Sequence, residues 1–197
     1  QQIETRSLVA QHELAYHAAI AYHYLGQQVK ATSYYRQAIS IKRNDKNNQI
    51  HEDIENLLTA LANCLVETGQ FKEAISLYRQ AAQNYAQRGV VSKAREATMV
   101  SWGVALQNHM WKECEEILLD GKQYGEENLI LTAREARLRS YQGNIDAARS
   151  GFEALEMLAS QLDDRQRGER WRLAAQAGLT RALIGGTLFS CFGKVVV

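Results

Sequence analysis

Between Leu58 and Tyr85 the chain reads LTALANCLVETGQFKEAISLYRQAAQNY, and few folds accommodate that stretch. Leu58, Leu61, Ala62 and Leu65 recur at spacings of three and four, which sets them on one helical face. Phe71, Ala74, Ile75, Tyr78, Ala81, Ala82 and Tyr85 repeat the same period further on. Gly69 lies between them and can take left-handed backbone angles without a Cβ clash, which stops a helix. Two antiparallel helices folded about Gly69 follow. Ala62 and Ala74 fall where they approach most closely, with Phe71 and Tyr78 filling the space beside them. The 197 residues contain no proline, which suits long uninterrupted helices and disfavours a loop-rich β fold.

The layout recurs. Ala15, Ala18, Ala19, Tyr22 and Leu25 precede Gly26, and Ala31, Tyr34, Tyr35, Ala38 and Ile39 follow it. Trp111, Cys114, Ile117, Leu118 and Gly121 keep the second-helix face of a third unit. There Asn108-His109 replaces the turn glycine, with His109 at the turn position and Asn tolerant of left-handed angles, and Trp102-Gly103 alters the small position. Ala136, Gly143, Ile145, Ala148, Phe152 and Leu155 restore the pattern in a fourth. This small–Gly–aromatic–small order resembles the tetratricopeptide repeat (TPR), whose minimal unit is a helical pair of about 34 residues. No proline closes a repeat here, a departure from the commonest family pattern.

The resemblance implies an all-α fold: a right-handed α-α superhelix, or TPR-like solenoid, of about four helical hairpins plus one further helix. Repeats are expected at 12–43, 52–88, 92–124 and 128–162, with a helix at 164–184, all within an array spanning 1–186. Gly89 reads as a helix stop and Ser92 as an N-cap; the last helix begins near Asp163 or Asp164, where Asp163-x-x-Gln166 can act as a capping box, and ends at Gly185-Gly186. Residues 187–197, TLFSCFGKVVV, form an apolar, β-prone tail. It either caps the open end or is foreign to the repeat, as a truncated or altered reading frame would leave it. With no initiator Met, the sequence is expected to be a piece of a longer chain.

Composition narrows function. Net charge is +1 with acids and bases interleaved, so no phosphate-tracking basic footprint exists. Arginines are dense from Arg134 to Arg172, but acids lie among them, and a solvated, salt-bridged face is expected there. Cys64, Cys114 and Cys191 form neither a metal-ligand spacing nor a disulfide framework, and the cytoplasm is the expected compartment. No apolar run is long enough to span a bilayer. His12 and His17 resemble a zinc-protease helix, but they are five apart, and one metal needs them four apart. The glycines near Lys194 lack phosphate-loop spacing. No catalytic residue, metal site or cofactor is expected.

In a stack of this kind the first helix of each pair lines a concave groove where partners bind. Residues just off the packing stripe supply that surface. They are Glu13, Tyr16, Ile20 and His23 from the first pair, Asn56, Thr59, Asn63 and Val66 from the second, Met99 and Leu106 from the third, and Arg137 and Ser140 from the fourth. Asn56 and Asn63 lie two turns apart on one face, where amides could bond the backbone of an extended peptide. Some TPR proteins clamp a terminal carboxylate with Lys and Asn. Tyr16 and Ile20 stand at such positions here and favour an extended or helical peptide instead. The leading expectation is a non-catalytic protein–protein interaction scaffold or adaptor, part of a larger chain or complex, binding a protein or peptide and no nucleic acid. The alternatives are a ligand- or peptide-sensing segment of a signalling protein, a SNAP-type adaptor, and an RNA-binding helical repeat.

Overall fold

The computed structural model describes residues 2–46, 50 and 53–192, with side chains described between 8 and 184. Among these residues there are nine helices and no strand. They are α1 (Gln2–Tyr24), α2 (Gln28–Asn44), α3 (Ile54–Glu67), α4 (Phe71–Gln87), α5 (Val91–Gln107), α6 (Trp111–Gln123), α7 (Asn128–Tyr141), α8 (Ile145–Ser160) and α9 (Arg165–Phe192). This is the all-α repeat architecture expected of a TPR-like solenoid.

Six helix ends share one device. After α1, α3, α4, α5, α6 and α7 a residue with φ between 56° and 76° turns the chain. The next N–H then reaches back to a carbonyl five residues earlier, as in Gln70 N to Leu65 O at 2.8 Å and Met110 N to Ala105 O at 2.9 Å. Five of these six positions are glycine, Gly125 among them unforeseen, and the sixth is His109 at 56°. Asn108, the residue expected to tolerate left-handed angles, keeps φ at −103°. A Cβ at Gly69 would meet nothing within 4 Å, so only backbone strain opposes a side chain there. Gly69→Ala is therefore expected to cost about 1 kcal/mol, read as a shifted urea midpoint with an unchanged slope.

Three boundaries differ from expectation. Helix α5 starts at Val91, so Ser92 lies inside it and does not cap it. Asp164, not Asp163, caps α9, accepting from Arg167 N at 3.0 Å. Helix α9 also runs through Gly185 and Gly186 to Phe192, because internal glycines weaken a helix without ending it. Residues 193–197, the remainder of the expected tail, lie outside the described residues.

The chain divides into two compact units, Gln1–Glu113 and Cys114–Val197. In the first, each helix from α1 to α4 packs on its successor. Its centre is Leu57, Leu58, Leu61 and Leu65 of α3 against Ala74, Ile75, Tyr78, Ala81 and Ala82 of α4, all at most 3% exposed. Burying each large side chain contributes about 1.5–3 kcal/mol, and the interleaved alanines allow the close approach this needs. In the second unit α7 packs on α8 and α8 on α9, around Ala136, Ala148, Phe152, Leu155 and Ala175.

Candidate functional site

A cavity of about 260 Å³ opens in the first unit between α3 and α5. Asn56, Thr59 and Asn63 supply its α3 wall, and Lys93, Glu96, Ala97 and Val100 its α5 wall. Tyr78 and Tyr85 of α4 complete the lining. Their spacings explain the arrangement. Residues 56, 59 and 63 follow one helical stripe, and residues 78 and 85, seven apart, follow another.

The polar groups are paired in an ordered way. The Tyr85 hydroxyl donates to Asn56 Oδ1 at 2.7 Å, and the Tyr78 hydroxyl donates to Asn63 Oδ1. Thr59 Oγ1 donates to the Glu55 carbonyl, leaving its lone pairs as acceptors. Lys93 and Glu96 pair at 3.0 Å, so the α5 wall is locally neutral.

The expected groove residues divide into groups. Asn56, Thr59 and Asn63 meet in this cavity. Val66 is half-buried and Met99 exposed, and neither lines it. On α1, Glu13 is exposed and Tyr16, Ile20 and His23 are half-buried, outside the lining. Leu106 is a correction: at 3% exposure it belongs to the core, one of the α5 apolar positions that seat this helix. Arg137 and Ser140 lie in the second unit, where they line a separate cavity of about 420 Å³ with Tyr141, Phe152, Ala174, Ala177, Gly178 and Arg181. Its walls are apolar and its charged groups are two arginines. A third cavity, about 410 Å³, lies between α2, α3 and α4 in the first unit, with Arg36 bridged to Glu73 at 2.7 Å on its rim.

Spacing alone puts Tyr78 and Tyr85 in the core, and for their rings this holds, at 2% and 7% exposed. It says nothing of their hydroxyl ends. The matching seven-residue intervals, 56 to 63 and 78 to 85, are the signal that pairs them with the asparagines.

Cys64, His23 and Glu67 are placed like a nucleophile, its base and an orienting acid. Cys64 Sγ lies 3.6 Å from His23 Nδ1, and His23 Nε2 lies 3.5 Å from Glu67 Oε1. Cys64 is completely buried, and burial, then the Glu67 charge, push its thiol up to about 11. The group is a thiol at neutral pH with no path to a substrate, so it serves as packing. Among the described residues no cluster of His, Cys, Asp and Glu is arranged to hold a metal ion.

Burial raises three phenols as well, Tyr35, Tyr78 and Tyr85. Tyr35 and Tyr78 are each raised from 10.0 to about 12, chiefly by desolvation. A phenol that ionises later in the folded state stabilises the fold fully below about pH 10, and that contribution disappears as pH climbs through about 12. Cys64 opens the same loss near pH 9. An ultraviolet phenolate titration should therefore show Tyr35 and Tyr78 ionising above the ordinary phenol range, together with the loss of helical circular dichroism.

Residues 12–45 and 56–87, which cover α2 and α4 and most of α1 and α3, match the tetratricopeptide repeat family. These two stretches are tetratricopeptide repeats. Its fold is also that of TPR-like repeats from a Podosopora anserina protein described as a putative kinesin light chain. That structure shares 20% identity and a TM-score of 0.55, covering 96% of this chain and 92% of its own. A single-substitution variant of the same protein gives 20% identity, a TM-score of 0.57, and coverage of 96% and 91%. BtubC (BKLC) from P. vanneervenii aligns with 15% identity, a TM-score of 0.51, and coverage of 94% and 89%. At these identities the likeness is one of fold. No curated protein matches the sequence. The TPR fold is a protein-interaction kind of fold and is typically non-catalytic. No helix among the described residues is long and apolar enough to cross a membrane.

Proposed function

We propose that this TPR array is a non-catalytic scaffold that holds an extended peptide segment of a partner protein along α3 and α5. One observation carries the reading: Asn56, Thr59 and Asn63 form a polar stripe on a neutral, partly apolar cavity, with two of the three held by tyrosine hydroxyls. Asn63 makes no other side-chain hydrogen bond among the described residues, so its Nδ2 donors suit a peptide carbonyl. The Thr59 oxygen, one turn away, suits a peptide N–H. Main-chain recognition of this kind gives affinity, and Ala97 and Val100 offer an apolar wall for alternate side chains. Near-neutral overall charge favours a protein partner over a nucleic acid.

The test is a peptide recovered from a displayed random library on the intact chain. Asn63→Ala is expected to weaken its binding by roughly tenfold, with helix content unchanged. Equal affinity for the wild type and an Asn56→Ala, Asn63→Ala double variant would remove the α3 stripe from the binding surface.

A further inference from the structure

The amide oxygens of Asn56 and Asn63 are both taken by hydroxyls from a neighbouring helix, and that fixes more than the fold. A carboxamide on a groove wall can present either its oxygen or its NH2, and a half-turn about its last bond exchanges them. Tyr78 donates to Asn63 Oδ1, and a phenol in this buried position is a donor only while it stays protonated, which burial favours. Its ring is 2% exposed between α3 and α4, so the hydroxyl cannot turn away to water. Tyr85 does the same for Asn56 two turns earlier on α3. Resting on the peptide-groove reading above, we propose that Tyr78 and Tyr85 are positioning residues. They hold the groove amides with oxygen inward, so that the Asn63 face offered to a partner is a hydrogen-bond donor. The site then selects main-chain carbonyls and other acceptors, and rejects groups that can only donate.

The physical reason is preorganisation. An amide that flips freely satisfies a carbonyl in only part of its population, and binding must supply the ordering. One hydrogen bond from a buried phenol removes that cost before the partner arrives. Thr59, whose own proton is committed to the Glu55 carbonyl, adds a fixed acceptor one turn from this fixed donor. Donor and acceptor in a set order match an extended main chain in one direction, so the Asn–Tyr pairs also dictate which way the segment runs.

The experiment is a double-mutant cycle on the intact chain, reading the affinity of a fluorescein-labelled peptide recovered by display selection. Tyr78→Phe deletes only the hydroxyl and should weaken binding roughly three- to tenfold. In an Asn63→Ala background the same change should do nothing, because no amide remains to be held. Asn63→Asp keeps an oxygen for Tyr78 but has no donor, and should bind at least as poorly as Asn63→Ala. Side-chain amide NMR supplies a reading without peptide: the Asn63 NH2 signals should shift in Tyr78→Phe, and those of Asn56 in Tyr85→Phe. Should Tyr78→Phe be too unstable to study, Tyr85→Phe with Asn56→Ala forms the same cycle. If Asn63→Ala weakens binding while Tyr78→Phe leaves affinity and NH2 signals unchanged, the positioning role is wrong and the groove stands. If Asn63→Asp binds like the wild type, the donor assignment is wrong. If no α3 substitution matters, the groove falls and this inference with it.

Discussion

Glu126→Ala should destabilise the second unit by about 3–5 kcal/mol, because it strands a buried guanidinium. Glu126 Oε2 lies 2.6 Å from Arg134 Nη1, and the two side chains are only 2% and 8% exposed. Desolvation drives the Arg134 pKa down and the Glu126 charge holds it up, so removing the carboxylate takes away an influence that offsets burial. Glu126 also lies over Gly121, where a Cβ would sit 2.5 Å from its Oε2, so the glycine leaves the carboxylate its place. The exposed pairs Arg139–Glu115, at 3.0 Å, and Arg172–Glu169, at 3.1 Å, are the controls, and breaking either should cost under about 1 kcal/mol. Replacing both members of the buried pair by leucine should recover most of the loss, since no lone charge remains. Urea unfolding of the single and double variants reads these differences. A Glu126→Ala variant within about 1 kcal/mol of the wild type would mean that water reaches Arg134.

Gly178→Ala should be the second costly substitution, at about 1–3 kcal/mol, although it adds one methyl group. The new Cβ would collide with Cε1 and Cζ of Phe152. That ring is 4% exposed and packs with Leu155, Ala136 and Ala175, so it can move only by disturbing the core of the unit. Combining Gly178→Ala with Phe152→Leu should cost less than the two single changes summed, because the shorter side chain leaves room for the methyl. Gly69→Ala isolates the other reason a glycine is needed, since there the backbone angle is strained and the space is empty. Additivity of Gly178→Ala and Phe152→Leu would show that α9 does not depend on this contact.

These two sites mark where sequence reading succeeds and where it stops. Helical period and glycine punctuation foretell the hairpins, because Ala62, Ala74 and Tyr78 report packing that is local to one pair. Charge density alone places Arg134 on a solvated face, and for Arg139, Arg167 and Arg172 that expectation holds. For Arg134 it does not. Its neighbours Leu131 and Leu138, three and four residues away on the same face, are both buried, and that spacing is the clue to its burial. Counting off the packing stripe puts Leu106 in the groove, and a helix buried on more than one side defeats such counting. The left-handed turn falls to His109, at the turn position that the repeat spacing gives, because the register of α5 sets which residue follows the last helical turn, whatever the local preference. The α3 stripe of Asn56, Thr59 and Asn63 is legible from one helix. Its tyrosine partners are not, because a core aromatic and a groove-supporting one share the same spacing until the tip of the side chain is placed.

The most direct test of the peptide-groove account is NMR chemical-shift mapping on titrating the display-selected peptide into the labelled chain. The account predicts the largest shifts at Thr59, Asn63, Ala97 and Val100, with the Asn63 side-chain NH2 moving as it bonds a peptide carbonyl. Shifts confined instead to Ser40, Arg43, Asn44 and Leu77, which line the cavity on the other side of α3, would contradict it.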